Sequence, residues 1–185
     1  WEWWAECWSV ILWAQGYRPT DRVFLPFGYN VFVAFWAAHY AAEKLGCEVI
    51  PGGVLDTKAR ILKIQELKAT AIMGTPTYIL GMADTAQNKM GIDPKELGIQ
   101  RITCAGEPGA SIPGTKRRME NAWGAKVFDH AGATEIGAWS YECRAQSGGI
   151  HANEAMLLVE IEDVETGEII ETPGRPGKMI ITALD

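Results

Sequence analysis

Residues 99–129 read IQRITCAGEPGASIPGTKRRMENAWGAKVFD, and this stretch decides the fold. Ile99–Ala105 is a short, mostly apolar run that predicts a strand. Ser111–Trp123 predicts a helix, because Pro113 stands in what would be its first turn. Ala125–Asp129 predicts a second strand directly after this helix. A strand, a helix and a strand in this order form a βαβ unit, whose two strands are parallel.

The same alternation extends toward the start of the chain. It predicts strands over residues 23–26, 48–51 and 70–73, and helices over residues 1–15, 32–45, 57–67 and 76–90. The fold class is therefore α/β, with a mainly parallel sheet flanked by helices over about residues 16–132. Five of the eight tryptophans lie in the first helix, which is apolar on both sides. We expect that helix to be buried nearly all round.

The pattern changes after Gly132, where strands follow one another without helices. Apolar and acidic residues alternate over residues 155–162, and 168–170 is expected to return as the hairpin partner of that strand. A second glycine-containing turn, 174–177, precedes a last strand over 178–183. The sequence therefore predicts a small antiparallel β subdomain over about residues 150–185.

Composition limits the class of protein. The chain has 185 residues, 48% of them apolar, and a formal net charge of −6, which suits a globular protein and disfavours a binder of duplex nucleic acid. The longest uncharged apolar run, Trp8–Gln15, is too short to cross a membrane. No secretory signal is recognisable. The four scattered cysteines are therefore expected to be reduced thiols in a cytoplasmic protein.

Ligands of open α/β sheets bind at the carboxyl ends of the strands, so three loops are candidates for a site. Residues 105–109 contain Gly106, which allows close backbone approach, and Pro108, which stiffens the loop into a wall for a flat ring. Residues 129–137 offer a hydroxyl beside a carboxylate, which suits a phosphate with bound Mg²⁺. Residues 27–32 carry aromatic rings for an aryl pocket. Each loop taken alone is equally compatible with ordinary connection or core packing.

The order of these strings resembles the phenylacetate–coenzyme A ligase family of adenylate-forming enzymes. The matching strings run collinearly along almost the whole chain: 27–29 with 39–40, 74–78, 105–108, 131–135, 141–143, 149–154, 165–168 and 174–177. This resemblance implies an enzyme that activates an aryl carboxylic acid with ATP and Mg²⁺ to an acyl-adenylate. The acyl group then passes to the thiol of coenzyme A.

The resemblance also implies roles for individual residues. The nucleotide would be bound by Gly106, Glu107, Pro108, Asp129, His130, Ala131, Gly132 and Thr134. The acid would be bound by Tyr29, Phe32, Ala131, Gly132 and Ile136. Thr134 would bind the α-phosphate and Glu135 would ligate Mg²⁺, which makes these two the catalytic residues. Ala133 and Trp139 depart from the usual family pattern and leave the identity of the acid open.

Parts of the family pattern are absent from this segment: the phosphate loop, the ribose-binding Asp and the domain with a catalytic Lys. Residues 1–185 would therefore be a central part of the N-terminal AMP-binding domain, with an α/β core over 1–148 and the start of a β subdomain over 149–185. We expect this segment alone to be inactive. The resemblance leaves a homodimer open, and implies neither a nucleic acid nor a membrane as partner.

Cys143 and His151 have two interpretations. They are residue types that ligate Zn²⁺, and two further ligands from outside the segment would complete a structural zinc site. Alternatively, they are a half-buried cysteine and a hydrogen-bonded histidine. For the chain as a whole, the alternatives to a ligase are a non-catalytic nucleotide- or zinc-binding module that retains the fold, and an unrelated α/β domain with chance strings.

Overall fold

The computed structural model describes residues 2–146 and 148–184. Trp1, which the predicted first helix includes, lies outside these residues, as do Ser147 and Asp185. The α-helices of the described part are α1 Glu2–Ala14, α2 Val33–Lys44, α3 Thr57–Leu67, α4 Pro76–Asp84 and α5 Pro113–Trp123. Its strands are β1 Arg22–Leu25, β2 Glu48–Pro51, β3 Ala71–Gly74, β4 Arg101–Cys104, β5 Lys126–Ala133, β6 Gly137–Tyr141, β7 His151–Ala152, β8 Leu157–Glu162 and β9 Lys178–Ala183.

The first seven strands form one sheet in the order β2-β1-β3-β4-β5-β6-β7. All neighbours from β2 to β5 are parallel, whereas β5–β6 and β6–β7 are antiparallel. Strands β8 and β9 form a separate antiparallel pair. The predicted α/β class, with its mainly parallel sheet and small antiparallel subdomain, is confirmed.

Helices cover both faces of the sheet. Successive residues of each strand point to opposite faces, so neighbouring residues of one strand pack against different helices. On β1, Phe24 packs with the apolar residues of α3, α4 and α5, whereas Val23 and Leu25 pack with α1 and α2. The largest fully buried side chain, Trp123, ends α5 and donates an indole hydrogen bond of 3.2 Å to the carbonyl of Ile79. The two apolar layers hold the strand ends, and thus the connecting loops, in place.

The first helix is less buried than predicted. Helix α1 packs against α2 and the sheet through its Trp8, Ile11 and Leu12 side, but Val10 and Trp13 are 41% and 60% exposed. The side of α1 that carries Val10 and Trp13 faces away from α2 and from the sheet. The centroid of the Trp13 ring lies 5.1 Å from the guanidinium carbon of Arg18, outside the core. The prediction of burial nearly all round is wrong for this side.

The predicted loop 129–137 is mostly strand. Strand β5 continues to Ala133 and pairs antiparallel with β6, with a bulge between Ala131 and Gly132. Only residues 134–136 form the turn, and Gly137 takes a φ of +72° as the next strand begins. The small residues gave no periodic signal for a strand, whose formation depends on the cross-strand partner.

The pairing in the antiparallel subdomain agrees only in part with the prediction. The regular partner of β8 is β9, whereas residues 168–170 return only beside the end of β8. Ile169 makes an isolated bridge with Glu162, and the Ile170 nitrogen donates to the Ile161 carbonyl at 2.7 Å. The Asp163 carboxylate accepts hydrogen bonds from the backbone nitrogens of Glu165 and Thr166 within the turn between β8 and residues 168–170.

Two sequence-level expectations concern the thiols and the membrane. Among the described residues, Cys7, Cys47, Cys104 and Cys143 form no disulfide. Across the described ranges, we find no helix with both the length and the apolar character that crossing a bilayer demands.

Candidate active site

A cavity of about 350 Å³ opens at the carboxyl ends of β1, β3 and β4. This is the edge at which parallel α/β sheets bind their ligands. The strand ends, the loops and the first turn of α4 contribute Pro26, Phe27, Met73, Gly74, Thr75, Tyr78, Thr103, Ala105 and Gly106. Helices α1 and α2 contribute Trp4, Trp8, Ala34, Phe35 and Ala38. The antiparallel edge contributes His130, Gly132, Ala133, Thr134, Gly137 and Ala138.

Aromatic rings form much of the apolar wall of this cavity. Phe27, just after β1, stacks on Phe35 of α2 with ring centroids 4.1 Å apart and an angle of 22° between the rings. Trp4 and Trp8 reach the cavity from α1. A cavity with this wall fits the apolar body of a small molecule, since most small-molecule sites are apolar with few polar groups.

The loop after β4 supplies a closely packed backbone wall. Gly106 takes a φ of +89°, a conformation that side chains other than glycine rarely adopt. A side-chain carbon at Gly109 would lie 2.3 Å from Cβ of Pro76, so this loop lies directly against the start of α4. Pro108 is exposed at the outer side of the loop. The predicted rigid wall is therefore present beside the cavity.

Glu107 ties this loop to the helix beside it. Its Oε1 accepts a hydrogen bond of 2.7 Å from the backbone nitrogen of Thr77, in the first turn of α4. Hydrogen bonds from the side chain and backbone of Thr77 lower the pKa of Glu107. The carboxylate thus links the loop after β4 to the first turn of α4. It also complements the positive end of the α4 dipole.

Thr134 and Glu135 occupy the turn between β5 and β6. Both are exposed, and Thr134 also lines the cavity. The Ile136 nitrogen closes the turn by donating to the Ala133 carbonyl at 3.3 Å. Among the described residues, the Glu135 carboxylate has no hydrogen-bond partner, so it is available to a cation. Of the two residues predicted to be catalytic, Thr134 lines the cavity, and Glu135 is exposed next to it in the same turn.

His130 differs from its neighbours because its side chain is buried at the cavity wall. The Nδ1 atom lies 2.8 Å from the carbonyl oxygen of Ser140, and the ring lies 4.1 Å from the Trp8 ring, centroid to centroid. Burial lowers the pKa of His130 to about 4, against the opposing effect of the Ser140 hydrogen bond. The imidazole is therefore neutral at physiological pH.

The backbone of Asp129 is hydrogen-bonded to the buried ion pair of Glu142 and Lys116. Its backbone nitrogen donates to Glu142 Oε2 at 3.1 Å, and the same carboxylate binds Lys116 of α5. Burial and the nearby Glu142 charge raise the pKa of Asp129. Sequence reasoning missed Lys116 and Glu142, because their meeting depends on the packing of α5 against the end of the sheet.

The predicted acid pocket is only partly reproduced. Gly132 lines the cavity, whereas Tyr29, Phe32, Ala131 and Ile136 lie outside its lining. The Tyr29 hydroxyl is 2.7 Å from His39 Nδ1, and burial raises the pKa of Tyr29 to about 12. Phe32 precedes α2 and is 56% exposed.

The phenyl, phenol and indole rings that do line the cavity are those of Phe27, Phe35, Tyr78, Trp4 and Trp8. Phe27 belongs to the loop 27–32 that was predicted to form an aryl pocket, and its position at the end of a strand is the signal for it. Phe35 lies on α2, whose rotation against the sheet does not follow from the sequence.

Cys143 and His151, the two candidate zinc ligands, lie next to each other. His151 Nε2 is 3.1 Å from Cys143 Sγ, and the His151 ring lies 5.3 Å from that of Tyr141. Within residues 2–146 and 148–184, no three histidine, cysteine or acidic side chains cluster closely enough to hold a metal ion. Zinc at this pair stays a prediction, and it needs ligands from elsewhere.

Comparison with known proteins gives close relatives for nearly the whole chain, although no family model matches it. A phenylacetate-coenzyme A ligase of Aromatoleum evansii is 33% identical over 183 residues, which cover 98% of this chain and 41% of that protein. The enzyme of the same name from Pseudomonas putida is 32% identical over 183 residues, with the same coverage of 98% and 41%.

One solved structure adds a likeness in three dimensions. It is an open conformation of 2-hydroxyisobutyryl-CoA ligase in complex with 2-HIB-AMP and CoA, with a TM-score of 0.89 and 26% identity. The match covers 98% of this chain and 41% of that one. The chain thus spans about 41% of the length of the relatives it matches.

Proposed function

We propose that this chain, which belongs to the phenylacetate-coenzyme A ligase family, forms the acid- and nucleotide-binding part of an acid–coenzyme A ligase. The observation that carries this proposal is one cavity whose apolar wall meets the Gly106 loop and the Thr134–Glu135 turn. The whole protein would activate a carboxylic acid with ATP to an acyl-adenylate, releasing pyrophosphate. It would then transfer the acyl group to the thiol of coenzyme A. The names of the relatives support this reaction class.

The acid that we propose is an aryl carboxylic acid. The stacked pair of Phe27 and Phe35, together with Trp4 and Trp8, offers faces and edges on which an aromatic ring packs favourably. The cavity volume of about 350 Å³ lies at the small end of the range for ligand sites, which suits one ring with a short side chain. Its carboxylate would point toward Thr134.

The nucleotide would lie on the other side of that carboxylate. The Gly106–Glu107–Pro108 loop would border the adenine, and Asp129, Ala131 and Thr134 would complete its surroundings. The Glu107 hydrogen bond to Thr77 supports this assignment, because it holds the loop rigid before any ligand arrives. We further propose that residues 1–148 and 149–185 are parts of a larger AMP-binding domain.

The residues present fit a magnesium ion. Glu135 offers one exposed carboxylate and Thr134 one hydroxyl, while Mg²⁺ commonly takes one or two carboxylates and completes its shell with phosphate oxygens and water. When bound, the ion would neutralise charge on the phosphates. Glu135 would hold it, and Thr134 would donate a hydrogen bond to the α-phosphate.

The test is pyrophosphate release by the full-length protein that contains these residues, measured across a panel of aryl acids. Glu135→Gln should lower the rate by about 10²–10³, as the loss of one electrostatic contact in the transition state typically does. Glu154→Gln, an exposed residue away from the cavity, is the matched control. The absence of pyrophosphate release with every acid of the panel, or wild-type turnover by Glu135→Gln, would refute the proposal.

A non-catalytic nucleotide- or zinc-binding module is the second candidate. The Cys143–His151 pair is the observation that favours zinc, because Sγ and Nε2 are already 3.1 Å apart. Metal analysis of the full-length protein, repeated on Cys143→Ser, separates the outcomes. Zinc lost with the cysteine supports a structural site, and a wild-type protein free of zinc excludes it.

A further inference from the structure

The hydrogen bonding of His130 determines which of its ring nitrogens carries a proton. A carbonyl oxygen can only accept, so Nδ1, at 2.8 Å from the Ser140 carbonyl, must be the donor. The ring is neutral, since burial lowers its pKa to about 4. The other nitrogen, Nε2, is therefore an unprotonated acceptor.

This acceptor lies at the wall of the cavity. His130 and Gly132 both line it, and a side-chain carbon on Gly132 would lie 3.5 Å from Nε2. The absence of a side chain at Gly132 thus leaves Nε2 uncovered. In the described part of the chain, Nε2 has no hydrogen-bond partner.

Two other hydroxyl groups at the cavity are already engaged by the protein, and a third, that of Thr134, is the one we assign to the α-phosphate. The Thr103 hydroxyl donates to Gln15 Oε1 at 2.6 Å and accepts from the Tyr17 hydroxyl at 2.9 Å. The Thr75 hydroxyl accepts from the Tyr78 nitrogen at the start of α4. An acceptor without a protein partner at the wall of a largely apolar cavity favours a ligand that brings a donor.

We propose that His130 is a specificity-determining residue, which accepts a hydrogen bond at Nε2 from a hydroxyl group on the acid. This inference rests on the proposed function and names the substrate class: hydroxyl-bearing carboxylic acids. The donor is a neutral hydroxyl rather than an ammonium group. No carboxylate stands among the described residues that line the cavity, and a cation there would be desolvated without a counter-ion.

The wild-type enzyme gives the first test. The kcat/KM for pyrophosphate release is measured with the three ring isomers of hydroxyphenylacetate and with 2-hydroxy-2-phenylacetate. Each is compared with the acid that carries methyl in place of the hydroxyl. At least one hydroxyl acid should exceed its methyl counterpart about tenfold, the size of one net hydrogen bond. Equal values for every pair would overturn the proposal.

The variant His130→Asn gives the second test. Its amide nitrogen can still donate to the Ser140 carbonyl, but it places no acceptor where Nε2 was. The preference for hydroxyl over methyl should fall about tenfold toward unity, mainly through KM. If His130 had only a structural role, the variant would lower kcat/KM for the hydroxyl acid and for the methyl acid by the same factor. The ratio of the two values would then stay unchanged, which contradicts the proposal. If the variant does not fold, the wild-type ratios still decide.

Failure of the proposed function gives a different result. If no acid releases pyrophosphate, the ligase assignment is wrong, and calorimetric binding of the same acid pairs to the wild-type protein tests His130 directly. Tighter binding of a hydroxyl acid than of its methyl counterpart would support the proposal without any turnover. Equal dissociation constants in every pair would overturn it.

Discussion

The ammonium group of Lys116 lies 2.5 and 2.6 Å from the two carboxylate oxygens of Glu142, in a pair that is almost wholly buried. It joins α5 to the segment after β6. Burial by itself raises the pKa of Glu142, but the hydrogen bonds from Lys116, Gly148 and Asp129 outweigh it and hold the pKa below its ordinary value. The pair thus fixes the antiparallel edge of the site to the parallel part of the sheet.

We expect Glu142→Gln to reduce the free energy of unfolding by about 3 kcal/mol, because removing one partner of a buried pair leaves a desolvated charge. Glu162→Gln is the matched control: its partner Lys178 is 62% exposed, and such pairs contribute about 0–1 kcal/mol. Chemical unfolding at pH 7 measures both. The Glu142 contribution is present above the ordinary carboxyl range and is lost as the pH falls below it. Equal losses in the two variants would contradict this role.

His130 should make stability depend on pH in a second way. Its pKa is about 4 when folded and near 6.5 when unfolded, so between these values the unfolded chain binds a proton that the folded one does not. Above pH 6.5, the titration of this residue therefore does not reduce the free energy of unfolding. As the pH falls from 6.5 toward 4, the free energy of unfolding decreases by up to about 3 kcal/mol.

Unfolding of the wild type and of His130→Asn at pH 7, 5.5 and 4.5 tests this. The stability of the wild type should decrease more steeply than that of the variant, because the variant lacks the titrating ring. Parallel pH profiles for wild type and His130→Asn would show that the buried ring is not responsible.

Glu107 should act as a helix cap. Glu107→Ala removes the acceptor for the Thr77 nitrogen and should cost about 1 kcal/mol, as the loss of an N-terminal cap typically does. Glu107→Gln keeps an amide oxygen as acceptor and should cost less, although it removes a charge that favours the helix N-terminus. Thermal unfolding ranks the three proteins. A larger loss for glutamine than for alanine would argue against capping.

The cavity wall on α2 should set the size of the acid. Ala34 lines the cavity without being fully buried, so Ala34→Leu adds three carbons to the cavity with little disturbance of the core. We expect KM for arylacetates to rise about tenfold, and KM for acetate to change by less than about twofold, since a methylene contact typically changes discrimination by 10–200-fold. Ala59→Leu on α3, outside the cavity lining, is the control. Similar changes for both acids would place the acid elsewhere.

Most of the scaffold could be predicted from the sequence, because each βαβ unit has local signals. The run of apolar residues in 99–105 and the proline in the first turn of α5 were sufficient to predict β4 and the helix after it. The pairing of β8 with β9 could not be predicted. The nearer segment, 168–170, has the same apolar character, and choosing between the two requires contacts across the turn.

The site shows the same division. Position in the chain located the loops of Gly106 and of Thr134 and Glu135, since strand ends of a parallel sheet share one edge. It did not show which aromatic rings face inward. Phe35 stacks on Phe27, while Phe32 stands outside the first turn of α2 and is exposed. That difference depends on how the helix is rotated against the sheet, which a spacing of three residues does not determine.

By itself, the sequence determined the parallel sheet and the loops at its carboxyl edge, including the turn that holds Thr134 and Glu135, because these follow from local periodicity and strand order. Only the tertiary structure decided the chemistry of His130. Trp8 and the Ser140 carbonyl come from distant positions in the chain to bury its ring and hold its proton on Nδ1. The reason is that charge state and hydrogen bonding depend on the groups that surround a side chain in space, and burial is a property of the folded chain.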